Sequence, residues 1–157
     1  MNVFIYSREE IENIIAKGIF PKHTAVVSFY DDVLKSIDDE YKPVDYSKTG
    51  CKVIYAEVSD VDISCLEESG LTYKDFFPTV NKVAFFVHKA YQNGMDIICQ
   101  CEHGQGRSAA CAAAIKEHFF HDGINFEAVN LHQIQLSSQD FHPFVLYVLT
   151  FQFLHKL

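Results

Sequence analysis

Apolar and polar positions alternate along this chain in two rhythms, short continuous apolar runs and longer stretches with one apolar face. Val3 to Tyr6 is short, apolar and β-branched, and reads as a first strand. Ser7 followed by Glu10 reads as a capping box, and Ile11, Ile14 and Ile15 form one face of a helix that Gly18 stops. Thr24 to Tyr30 is nearly all apolar and predicts a buried second strand. Asp31 to Gly50 is polar and charged, a long loop with room for one short helical turn. Loops of that length in a small domain tend to carry function or to vary. Cys51 to Val58 predicts a third strand, ending at Ser59-Asp60-Val61-Asp62 and followed by a polar loop to Gly70.

The spacing of apolar positions 76, 77, 80, 83, 84, 87, 90 and 91 predicts one long helix from Thr72 to Asn93. Thr72 with Asp75 is its candidate cap and Gly94 its stop. Pro78 sits either in a bent first turn or at the true start. Asp96 to Gln100 is a central strand, and Arg107 to Asp122 a helix rich in alanine that can lie close against a sheet. Further helices are expected over Phe126 to Gln135 and His142 to Lys156, the last apolar nearly all round and so buried. No repeat or linker interrupts the order, which predicts a single domain over residues 1–157. The expected fold class is α/β: a central, mainly parallel sheet of about four to five strands with helices on both faces. Such sheets bind ligands at the carboxyl ends of their strands.

Composition narrows the class. An apolar share of 48% with 22% charged residues is that of an ordinary soluble globule with a core of its own. The net charge of −8 argues against nucleic acid as a partner, since that needs a basic face. Attraction for an anion must therefore be local. No stretch reaches the roughly 18 apolar residues of a membrane span, and the N-terminus lacks the basic start of a signal peptide. The five cysteines, at 51, 65, 99, 101 and 111, fit neither a disulfide framework nor a zinc site, and a reducing cytoplasm is the simple expectation. A reversible disulfide of Cys101 with Cys99 or Cys65 is a side hypothesis, inert buried thiols the plainer one.

The chemistry concentrates in Cys101-Glu102-His103-Gly104-Gln105-Gly106-Arg107-Ser108, between a strand and a helix. Five residues between cysteine and arginine can curl into a cradle of inward backbone N–H groups, with glycine at 104 and 106 tolerating positive φ and close approach. The helix that follows adds unpaired N–H groups and the positive end of its dipole. Arg107 adds a planar fork that matches two phosphate oxygens. This predicts a pocket for a tetrahedral dianion such as phosphate or sulfate, lined by Glu102, His103, Gly104, Gln105, Gly106 and Arg107, with sulfur at its floor. The same positive field favours the thiolate of Cys101 over its thiol, and the thiolate is the nucleophile.

This octapeptide, with a strand before it and a helix after it, resembles the signature of the cysteine-dependent protein tyrosine phosphatases, in particular the small dual-specificity-like branch. The resemblance extends more loosely over most of the chain. It implies a phosphomonoester hydrolase that works through a phosphocysteine, with phosphorylated protein or a small phosphomonoester as substrate and no cofactor or metal. Cys101 would be the nucleophile, Arg107 the clamp, and Ser108 a hydrogen-bond donor to the sulfur. Asp60, which follows the third strand, matches the family's general acid best, with Asp62 as runner-up and Asp75 less suited because it belongs to a helix start. The family usually has His before the cysteine, and here Gln100 stands there. That departure keeps open a phosphate-reading binding module, and a rhodanese-like sulfurtransferase is a third reading of an anion-cradling cysteine loop. The remaining histidines lack metal-ligand spacing.

Overall fold

A computed structural model describes residues 1–31, 34, 37–58, 70 and 73–120. Its elements are β1 (Val3–Ser7), α1 (Arg8–Ala16), β2 (Thr24–Tyr30), β3 (Lys52–Glu57), α2 (Tyr73–Phe76), α3 (Val80–Gln92), β4 (Asp96–Cys101) and α4 (Arg107–Phe120). The strands form one sheet in the order β1-β4-β2-β3, with every neighbouring pair parallel. The expectation of a mainly parallel sheet of about four to five strands is met by four strands in the described residues. Helices expected beyond Phe120 lie outside the described residues.

Alternation along the strands gives each face its own core. Val3, Ala25, Val27, Phe29, Ala56, Ile97, Cys99 and Cys101 point toward α3 and α4. Val26 and Ile98 point the other way, where Ile11 of α1 and Val44 and Tyr46 of the β2–β3 loop cover them. Buried β2 and β4 at the sheet's centre explain their apolar runs, whereas edge strand β3 leaves Lys52 and Tyr55 exposed.

The capping box at the start of α1 is present. The Ser7 hydroxyl accepts from the Glu10 N–H at 3.2 Å, and the Ser7 N–H donates to the Glu10 carboxylate at 2.7 Å. The single helix expected from Thr72 to Asn93 is instead two, α2 and α3, with Pro78 between them. Proline offers no N–H and crowds the preceding turn, so periodic apolar spacing on both sides of it did not make one helix. Phe77, in the break, is fully buried against Phe29, with ring centroids 6.0 Å apart at 63°. In α4, Ala109, Ala110, Ala112, Ala113 and Ala114 are all buried, as their small size suggested.

Candidate active site

Because β4 lies between β1 and β2, the loop that leaves its carboxyl end is flanked by the ends of both neighbours. On the β1 side, Gly104 has φ +73°, and a Cβ there would come 2.8 Å from the Ser7 nitrogen. Glycine is thus required twice, by its backbone angle and by the closeness of β1. On the other side of the loop, the Ala110 N–H donates to the Gly106 carbonyl at 3.0 Å. The N–H groups of the residues just before Ala110 therefore open the helix without acceptors of their own within it, and they face the loop.

Cys101 and Ser108 meet at the helix start, with Sγ and Oγ 3.0 Å apart and both side chains buried. Arg107 is 3% exposed. Its Nη1 donates to the Val58 carbonyl at 2.7 Å and lies 3.9 Å from the Asp31 carboxylate. Val58 follows β3 and Asp31 follows β2, so the guanidinium ties the carboxyl ends of three adjacent strands together. A buried charge needs such partners.

Glu102 turns away from the cradle. Its carboxylate sits 3.6 Å from Arg8 Nη1, and its carbonyl accepts from the Arg8 N–H at 3.1 Å. His103 and Gln105 are exposed, Gly104 is buried and Gly106 half-buried. The structure thus brings Cys101, Arg107 and Ser108 together. Of the three candidate acids, Asp60 and Asp62 lie outside the described residues, as does Cys65, and Asp75 is exposed in α2. Cys51, Cys99, Cys101 and Cys111 are free thiols. Burial pushes the Cys99 thiol up, with Cys111 and Cys101 beside it adding to the shift. Among the described residues, no three histidine, cysteine or acidic side chains gather in a way that could hold a metal.

Gln100 is 2% exposed, and its side-chain oxygen is shared by two donors. Its Oε1 accepts from the Ser28 hydroxyl at 2.7 Å and from the Tyr46 hydroxyl at 3.2 Å, linking β4 to β2 and to the β2–β3 loop. Burial pushes the Tyr46 phenol well above its ordinary range. The residue before the cysteine is therefore held by a neutral network that does not titrate near neutral pH.

Sequence reading missed Asp31, Tyr41 and Arg8. Tyr41 is raised by burial, while a backbone hydrogen bond from Asp31 lowers it, and the charges of Glu102, Arg8 and Arg107 all reach it. The Arg8 guanidinium lies 5.2 Å from its ring centre and 3.6 Å from the Glu102 carboxylate, which puts Tyr41 on the Glu102 side of the loop. Asp31 could have been found from its place just after a predicted strand, had the strand order been known. Arg8 carries no signal beyond following the helix cap.

No family model and no curated protein matches the sequence. Solved structures do. "Crystal Structure of PTPMT1" aligns at TM-score 0.53 over 97% of this chain and 89% of its own, and "Crystal Structure of PTPMT1 in complex with PI(5)P" at 0.52 over 97% and 90%, both at 15% identity. The chain has the α/β fold of the cysteine-dependent protein tyrosine phosphatases.

Proposed function

We propose that this chain hydrolyses phosphate monoesters through a phosphocysteine intermediate, as a protein-tyrosine-phosphatase-like enzyme. The observation that carries the reading is the meeting of Cys101 and Ser108 at 3.0 Å beside buried Arg107, where a parallel strand enters a helix. In this reading the Cys101 thiolate attacks phosphorus, and the bond from phosphorus to the ester oxygen breaks with its electron pair on that oxygen. Asp60 supplies the proton that the leaving oxygen takes. Water then attacks the phosphocysteine, gives its proton back to the Asp60 carboxylate, and releases phosphate and thiolate. Arg107 and the loop N–H groups hold the charge on the phosphoryl oxygens through both steps. The Ser108 hydroxyl stabilises the departing sulfur.

One structural detail supports this assignment. The Val58 carbonyl, which accepts from Arg107, lies two positions before Asp60, so the clamp already meets the root of the acid's segment. From the odd count and the spacing of the five cysteines in the sequence we also propose a reducing, cytoplasmic setting for the chain. Phosphotyrosine protein is the first substrate class, with phosphoserine and phosphothreonine included. A phosphoinositide is the second, favoured by the fold's likeness to PTPMT1, whose structure was solved with PI(5)P.

The test is p-nitrophenyl phosphate hydrolysis in the presence of a chelator. Wild type turns over; Cys101→Ser and Arg107→Ala lose activity by about 10³-fold or more. Asp60→Asn loses about 10²-fold or more. Full activity in Asp60→Asn with loss in Asp62→Asn would move the acid role to Asp62. Phosphopeptide binding without turnover would identify a binding module, and thiosulfate-to-cyanide transfer a sulfurtransferase.

A further inference from the structure

Arg8 opens α1, and contacts from three segments converge on it. Its Nε lies 2.9 Å from Glu12 Oε1 within α1. Its Nη2 donates to the Lys42 carbonyl at 2.8 Å, and its guanidinium lies over the Tyr41 ring at 5.2 Å, both in the β2–β3 loop. Its third set of contacts is to Glu102, through the backbone at 3.1 Å and through the side chains at 3.6 Å. Burial works against the charge on Arg8, and the carboxylates of Glu12 and Glu102 outweigh it, so the guanidinium stays firmly cationic.

Glu102 directly follows Cys101. A carboxylate there repels any anion the loop is built to hold, and it lies close enough to the rim to act on Tyr41 together with Arg107. Both side chains of the Arg8–Glu102 pair are less than one-third exposed, which limits screening by water. We infer that Arg8 is a positioning residue of the anion pocket: it draws the Glu102 carboxylate out of the cradle and cancels its charge, and by the same fork it fixes the Tyr41–Lys42 segment against the rim. The inference rests on the proposed phosphatase reading of the same loop, and it assigns a task to a residue that never touches substrate. It also gives Glu102 a reason to be tolerated beside a phosphate site.

A charge cycle tests it. Inorganic phosphate affinity is measured by calorimetry at low salt, and KM and kcat for p-nitrophenyl phosphate alongside, for wild type, Arg8→Gln, Glu102→Gln and the double variant. Arg8→Gln weakens phosphate binding about three- to five-fold, raises KM alike, and loses much of that difference at 0.5 M salt. The double variant returns to within about two-fold of wild type, and Arg8→Lys keeps most of the affinity. Glu102→Gln alone binds phosphate about two-fold more tightly, which decides the matter even where Arg8→Gln does not fold. Wild-type affinity in Arg8→Gln, a double variant no better than Arg8→Gln, or no gain in Glu102→Gln overturns the inference, while hydrolysis by wild type leaves the functional reading standing. A wild type that neither binds phosphate nor hydrolyses the ester removes the functional reading and this inference with it.

Discussion

The two faces of β4 support the loop after Cys101 in opposite ways. Toward α3 and α4, positions 97, 99 and 101 place isoleucine and two thiols against a helix lined with alanine, and close packing does the holding. Toward α1, positions 98 and 100 place isoleucine and then an amide, and hydrogen bonds from Ser28 and Tyr46 do the holding. Packing keeps the strand's side of the sulfur apolar, and the polar group beside it is the Ser108 hydroxyl at 3.0 Å. Hydrogen bonds are directional, and on the far face they fix where the strand ends and the loop departs. One strand thus combines a dry side and a wired side, and Cys101 comes at the end of the dry one.

The harshest test of that division is at the loop's contact with the wired side. Gly104→Ala meets both the positive φ and the Ser7 backbone, and should cost about 2 to 4 kcal/mol in urea denaturation together with most of the phosphate affinity. If activity and stability stay near wild type, β1 does not shape the loop as described. Next in size is Gln100→Leu, which leaves two buried hydroxyls without their acceptor and should cost about 1 to 3 kcal/mol. Adding Ser28→Ala and Tyr46→Phe to that variant removes the orphaned groups and should recover part of the loss. No recovery would mean that shape, not hydrogen bonding, is what Gln100 supplies.

The subtlest test separates the faces by pH. Burial raises both the Cys99 thiol on the packed face and the Tyr46 phenol on the bonded one above their unfolded values. Stability from the thiol is complete below about pH 8.5 and is lost as pH climbs from there toward its folded pKa, by at most about 1.4 kcal/mol per pH unit. The phenol's share begins to fall only above about pH 10. Urea midpoints followed from pH 7 to 11 should show two successive declines, the first reduced in Cys99→Ala and the second in Tyr46→Phe, with the remainder coming from Cys51 and from Tyr6, Tyr41 and Tyr55, which burial also raises. A single decline unaffected by either change would deny that the two faces titrate separately.

Much of this was legible in the chain. β-Branched runs gave β1 and β2, the Ser7–Glu10 pair gave the start of α1, and the alanines of α4 announced close contact with a sheet. Cys101, Arg107 and Ser108 were legible because their spacing alone brings them together at a strand–helix junction. The break at Pro78 was visible as a choice, but apolar periodicity ran straight through it. Arg8 and Asp31 were not legible as site residues. Their nearness depends on β1 and β2 flanking β4, an order that no local pattern encodes. Gln100 looked like a missing histidine, whereas its meaning lies in Ser28 and Tyr46, which are remote from it in sequence.

The contact between Gly104 and Ser7 joins two stretches separated by most of the described chain. Bringing such distant stretches together is a slow, late event for a folding polypeptide. The cradle therefore acquires its final curvature only once the first strand has docked beside the fourth. In a refolding experiment, the return of phosphate binding should lag the return of helical signal, and so act as a clock for that closing step.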